Sequence, residues 1–194
     1  HGLPRGPFDD LITAFEQDQT VTRYRNFDEL FAYCRYSANP VGRLVLGLCG
    51  YQDAERQALS DATCTALQLA NFWQDVIVDL EKDRVYLPLD VLERYGCPVS
   101  DLIARRFSDS FRNAMKEVTG VARELFIKGL PLAGQVDRRL AIDLELFSRG
   151  GLKILEKIER QDYNVLRARP AISKTERVCL LLAAIARRAF SRAA

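Results

Sequence analysis

The chain has 194 residues, 48% of them hydrophobic and 28% charged, with 28 Lys+Arg against 26 Asp+Glu and one histidine. That apolar content excludes a disordered chain and suffices for one sizeable core, so a single domain over 1–194 is expected. Near neutrality argues against nucleic acid as a partner, and a lone histidine at position 1 leaves no His-ligated metal site and no Ser-His-Asp triad.

Phe8, Leu11, Ile12 and Phe15 repeat at helical spacing behind Pro7 and predict a first amphipathic helix. Asn26 is a candidate N-cap for a second helix, which runs to Asn39-Pro40, where the proline breaks it before helix resumes over 41–48. One long, largely apolar helix is expected over 52–82, then a link at Val85-Tyr86-Leu87-Pro88 and a short helix ending at Tyr95-Gly96. Residues 100–129 read as a further helix capped by Ser100-Asp101, with Leu102, Ile103, Phe107, Phe111, Met115 and Val118 facing a core. Helices over 136–158, with a weak point at Gly150-Gly151, and over 174–192 complete the pattern. No period-two strand is evident, so the fold class is all-α.

The longest apolar run, 178–186, lies between Arg177 and Arg187 and falls well short of the roughly 20 residues that span a bilayer. Five cysteines (34, 49, 64, 97 and 179) contain no C-x-x-C pair and read as reduced, mostly buried thiols, which suits a cytoplasmic protein. Charge is unevenly shared: residues 1–97 carry 9 Lys+Arg and 15 Asp+Glu, a net −6, whereas 98–194 carry 19 and 11, a net +8. Two readings stand: solvated faces that differ by chance, or an acidic metal-binding half opposite a basic half that holds an anionic ligand or lies near an anionic membrane.

The most informative segment is 67–80. At about 100° per residue, Gln68, Asn71, Asp75 and Asp79 share one narrow polar stripe on a helix otherwise made of Leu, Ala, Phe, Trp, Val and Ile. Two carboxylates one turn apart in such a setting repel each other and call for a cation. Lys82, close in sequence, points away from the stripe, so the candidates are an arginine from elsewhere or a bound metal. An all-oxygen donor set suits a hard cation, above all Mg2+, which keeps several waters and bridges to substrate phosphate.

Gln68-x-x-Asn71-x-x-x-Asp75-x-x-x-Asp79, followed by Arg84-x-Tyr86-Leu87-Pro88, resembles the second aspartate-rich motif of the squalene/phytoene synthase family. Residues 33–42, Tyr-Cys-Arg-Tyr-Ser-Ala-Asn-Pro-Val-Gly, are similar to that family's tyrosine-bearing helix, and 158–166 to its closing segment. Within the family, residues 37–46 and 71–76 look most like the bacterial hydroxysqualene synthases of the three-enzyme squalene and hopanoid route. Two departures stand out: Gln74 where the condensing squalene and phytoene synthases commonly carry Arg, and Asp83 where glycine is usual.

The resemblance implies an isoprenoid synthase-like helical bundle and an enzyme acting on a long-chain isoprenoid diphosphate with Mg2+. Asp75 and Asp79 would be catalytic metal ligands, Tyr33 a catalytic residue near the reacting centre, and Gln68, Asn71, Arg84 and Tyr86 substrate-binding residues. The implied reaction converts presqualene diphosphate to hydroxysqualene by ionisation and water capture; the alternatives are head-to-head condensation of farnesyl diphosphate and a non-catalytic helical scaffold. Tyr163, Arg167, Arg169 and Lys174 are further phosphate candidates, read as solvated surface. Expected associations are peripheral membrane contact at the cytoplasmic face and a link to other squalene-pathway enzymes. The family's first aspartate-rich motif should precede Tyr33, yet Asp9-Asp10, Glu16 and Asp18 lack the D-x-x-x-D form. The chain is therefore expected to be the C-terminal portion of the family domain, and whether this portion is active by itself stays open.

Overall fold

The computed structural model describes residues 2–190 and is helical from end to end. The elements are α1 (Gly6–Gln17), α2 (Phe27–Ser37), α3 (Asn39–Leu48), α4 (Ala54–Gln74), α5 (Val76–Leu80), α6 (Leu89–Arg94), α7 (Val99–Ile103), α8 (Asp109–Gly129), α9 (Arg138–Arg160) and α10 (Lys174–Phe190). A 3-10 turn, Leu130–Gly134, joins α8 to α9. Residues 191–194, the end of the helix expected over 174–192, lie outside the described residues.

Local chemistry fixes most boundaries. Asn26 accepts a hydrogen bond from the Glu29 amide, and Glu29 in turn accepts one from the Arg25 amide, so donors at the start of α2 are satisfied from both sides. Asp53 and Asp137 cap α4 and α9 in the same way. Pro40 enters at the first turn of α3, where its missing N–H costs nothing, and thereby separates α3 from α2.

The core is built around α4, which packs along α8 and touches α2, α3 and α9. Leu69 and Trp73 of α4 are fully buried against this interior, as are Phe111, Met115, Val118 and Phe126 of α8. Two glycines permit close helix crossings. A Cβ on Gly129 would meet the backbone oxygen of Leu59 at 3.0 Å as well as Thr63, and a Cβ on Gly151 would run into the Phe126 ring. The expected weak point in α9 is therefore an unbroken stretch of helix that needs glycine for packing.

Three other expectations are corrected. The helix over 52–82 is interrupted at Asp75, whose ψ of 16° ends α4 just before the β-branched run Val76-Ile77-Val78, a sequence with lowered helical preference. The helix over 100–129 is two helices: Arg105 takes a left-handed φ of 51°, the Arg106 amide closes onto the Asp101 carbonyl, and Ser108, not Ser100, caps α8. Ile103 is exposed as a result. In α1, Phe8, Ile12 and Phe15 face outward, Leu11 is half-buried and Ala14 is buried, because α1 lies on α2 and α3 through a side turned away from most of its apolar stripe.

Among the described residues no helix is long and apolar enough to cross a membrane. All five cysteines are free; Cys34 and Cys97 are buried and Cys64 half-buried, but Cys49 and Cys179 are exposed, contrary to the expectation of a mostly buried set.

Candidate functional site

The segment before α2 and the link after α5 run side by side. The Val85 amide donates to the Thr22 carbonyl within an isolated parallel bridge between Arg23 and Val85, and further on the Leu89 amide donates to the Tyr24 carbonyl. Asp83, at the start of this link, takes a left-handed φ of 55° and pairs with Arg23. That conformation explains why glycine fits this position so readily, and the aspartate is engaged rather than an idle surface charge.

This pairing delivers Tyr86 and Arg84 to α4 and α2. The Tyr86 ring stacks on Phe72 at 3.7 Å with 7° between planes, and Tyr33 and Tyr24 complete an aromatic cluster at centroid distances of 5.4 to 6.2 Å. The buried Tyr33 hydroxyl donates to Asp18 Oδ1 at 2.8 Å. Burial first, and then that hydrogen bond, push the Tyr33 phenol well above its ordinary range, so it stays a neutral donor. Arg84 donates to the Asp18 carbonyl at 3.0 Å and to the Tyr86 hydroxyl at 3.5 Å. Tyr24 is buried with its hydroxyl unpartnered among the described residues.

Phe72, Asp79, Arg84 and Tyr86 line one small recess beside this cluster. Burial and the neighbouring Asp75 carboxylate push the Asp79 carboxyl up to about 6, against the pull of Lys82 and Arg84. Asp75 is one quarter exposed and meets the guanidinium of Arg169, which bonds both carboxylate oxygens, Nη2 to Oδ2 at 3.1 Å. Arg169, read from sequence as solvated surface, is thus a site residue, whereas Tyr163 is half-buried and Arg167 and Lys174 are exposed. Gln68 is half-buried and Asn71 exposed on α4, one turn or more before Asp75.

Gln74, the departure from arginine, is buried and donates to the Pro170 carbonyl at 2.6 Å. It holds the segment after α9 against the end of α4 and so brings Arg169 to Asp75. Tyr24 and the role of Asp18 have no signal in the sequence, and Arg169 reads there only as a surface phosphate candidate, because the Asp18 and Arg169 contacts join positions 15 and 94 residues apart and follow no helical period.

Among the described residues no group of three or more His, Cys, Asp or Glu gathers to cage a metal. The donor chemistry at Asp75 and Asp79 nevertheless fits Mg2+: two carboxylates one turn apart, one of them half-buried and disfavoured as an anion, are stabilised by a hard cation that completes its shell with water and phosphate. A more open groove of about 600 Å3 between α8, α9 and α10 is a weaker site, since its Lys153 and Arg123 are spent on Glu156 and Glu159.

A family model for squalene/phytoene synthase matches residues 1–176. The chain belongs to the squalene/phytoene synthase family. It is 37% identical over 163 residues to a hydroxysqualene synthase from Rhodopseudomonas palustris, covering 83% of this chain and 56% of that protein. It is 36% identical over 197 residues to one from Sinorhizobium fredii, covering 98% and 66%. Among solved structures, squalene synthase HpnC from Alicyclobacillus acidocaldarius is 48% identical with a TM-score of 0.82, over 84% of this chain and 62% of that one. The chain thus spans roughly three fifths of the length of these family members. The match establishes the isoprenoid synthase-like helical bundle and an enzyme family acting on isoprenoid diphosphates.

Proposed function

We propose that the protein is a Mg2+-dependent synthase of squalene or hopanoid biosynthesis that converts presqualene diphosphate to hydroxysqualene. The observation that carries this reading is the recess in which Asp79, one turn from Asp75, meets Phe72 and Tyr86, with Tyr33 stacked against Tyr86. The identity of 36 to 37% to two hydroxysqualene synthases supports this branch of the family.

The residues divide the work by polarity. Asp75 and Asp79 would hold Mg2+, which when bound offsets the charge of the departing diphosphate. Arg84, fixed by the Asp18 carbonyl, is placed to hold diphosphate oxygens, and Gln68 and Asn71 would orient diphosphate or metal-bound water. As the carbon–oxygen bond breaks, its electron pair leaves with the diphosphate and the cyclopropylcarbinyl cation rearranges; the aromatic cluster of Phe72, Tyr86 and Tyr33 would stabilise it through the ring faces not covered by the Phe72–Tyr86 stack and exclude bulk water. A single water then forms the new carbon–oxygen bond and gives up a proton.

Phytoene synthases are also similar, one from an Oncidium hybrid at 35% identity over 89% of this chain, so condensation of two prenyl diphosphates is the competing reading. Gln74 favours the first reading, because its side chain is committed to Pro170 rather than to a diphosphate. The deciding experiment supplies the full chain with Mg2+ and either presqualene diphosphate or farnesyl diphosphate and identifies the product by mass spectrometry. Hydroxysqualene from presqualene diphosphate alone is expected. A condensed hydrocarbon from farnesyl diphosphate would replace this reading with the condensing one.

A further inference from the structure

Arg169 forks onto both oxygens of Asp75, while Asp79, one turn on, forms no ion pair among the described residues. The two segments are tied directly behind this contact: the side-chain amide of Gln74, adjacent to Asp75, donates to the carbonyl of Pro170, adjacent to Arg169. Gln161 bonds the Ala168 carbonyl at 3.2 Å and Asn164 accepts from the Arg167 amide at 3.2 Å, so the segment carrying Arg169 is itself pinned. The side chain is the free part, since Arg169 is 49% exposed at the end of a long flexible stem.

A divalent cation and a guanidinium that forks onto both oxygens compete for the same carboxylate, because each repels the other and the metal needs at least one of the two oxygens. A guanidinium displaced from Asp75 keeps the planar fork that suits phosphate oxygens, and its half-exposed side chain is free to swing to a ligand bound beside Asp75. We propose that Arg169 is a two-position residue of this site: it neutralises Asp75 when no metal is bound, and turns to the substrate's diphosphate when a divalent cation takes its place. Arg169 thereby couples the two ligands: metal binding frees the group that strengthens diphosphate binding, and diphosphate draws that group away from the metal's ligand.

This inference rests on the diphosphate reading above. Its test is calorimetric titration of the full chain with Mg2+ alone, and with inorganic pyrophosphate at saturating Mg2+, for the wild type, Arg169→Gln and Arg169→Lys. Removing the competing cation in Arg169→Gln should tighten Mg2+ binding by about threefold or more while weakening pyrophosphate by roughly tenfold or more. Arg169→Lys, which keeps the charge without the fork, should fall between. A purely structural arginine would weaken both ligands and lower the melting temperature in step. Unchanged or weaker Mg2+ binding by Arg169→Gln, or unchanged pyrophosphate affinity, overturns the inference alone. Failure of the wild type to bind either ligand overturns the diphosphate reading as well.

Discussion

The carboxyl of Asp79 is half-buried beside a second carboxylate, so folding works against its ionised form. The unfolded chain releases this proton near 3.8 and the folded chain near 6, so the destabilisation grows between those values and is complete above them. In metal-free protein, Asp79→Asn is therefore expected to raise stability at pH 7.5 by about 1 kcal/mol, or some 2–4 °C in Tm, and to change nothing at pH 3.5. The same variant should lose Mg2+ binding; a lower Tm at pH 7.5 would refute the account. Tyr33 gives the opposite pattern. Tyr33→Phe removes the donor to Asp18 and should cost about 1 kcal/mol, seen in thermal melts. If the hydroxyl also steadies charge at the reacting centre, kcat falls by roughly 10- to 100-fold at unchanged Mg2+ affinity.

Helix crossings set the distances that these residues share. Gly151 lets α9 approach Phe126 of α8, and Gly151→Ala is expected to cost about 1–3 kcal/mol in denaturant melts through overpacking, with the helix itself intact by circular dichroism. Much of this level can be read directly from the chain: the cap at Asn26, the break at Pro40 and the i, i+4 pair Asp75-Asp79 are local patterns, and local patterns survive folding. The interruptions at Asp75 and Arg105 do not announce themselves, because the apolar period continues across both while the backbone turns. The outward stripe of α1 escaped for another reason: periodicity says which side chains share a face, not which face is covered. At the site, Asp75, Asp79, Arg84 and Tyr86 come from one contiguous motif, whereas Asp18 and Arg169 reach it only through tertiary pairing.

Among the described residues the acidic first half and the basic second half meet in two such ion pairs, Asp75 with Arg169 and Glu81 with Arg105, while Arg94 with Glu117 crosses in the opposite sense. Most of these are partly exposed and worth about 0–1 kcal/mol each, so raising salt from 0.05 to 0.5 M at pH 7 should lower Tm by only about 1–3 °C. A larger drop would mean that cross-half attraction contributes more than packing around α4. The Asp75 to Arg169 contact also has a history within each molecule, since its partners are 94 residues apart in the order of synthesis. At about 5–20 residues per second a ribosome needs roughly 5–20 s to make that interval. For that time the nascent chain carries a finished acidic motif whose neutralising arginine does not yet exist, and the segment after α9 closes the contact only once it has been made.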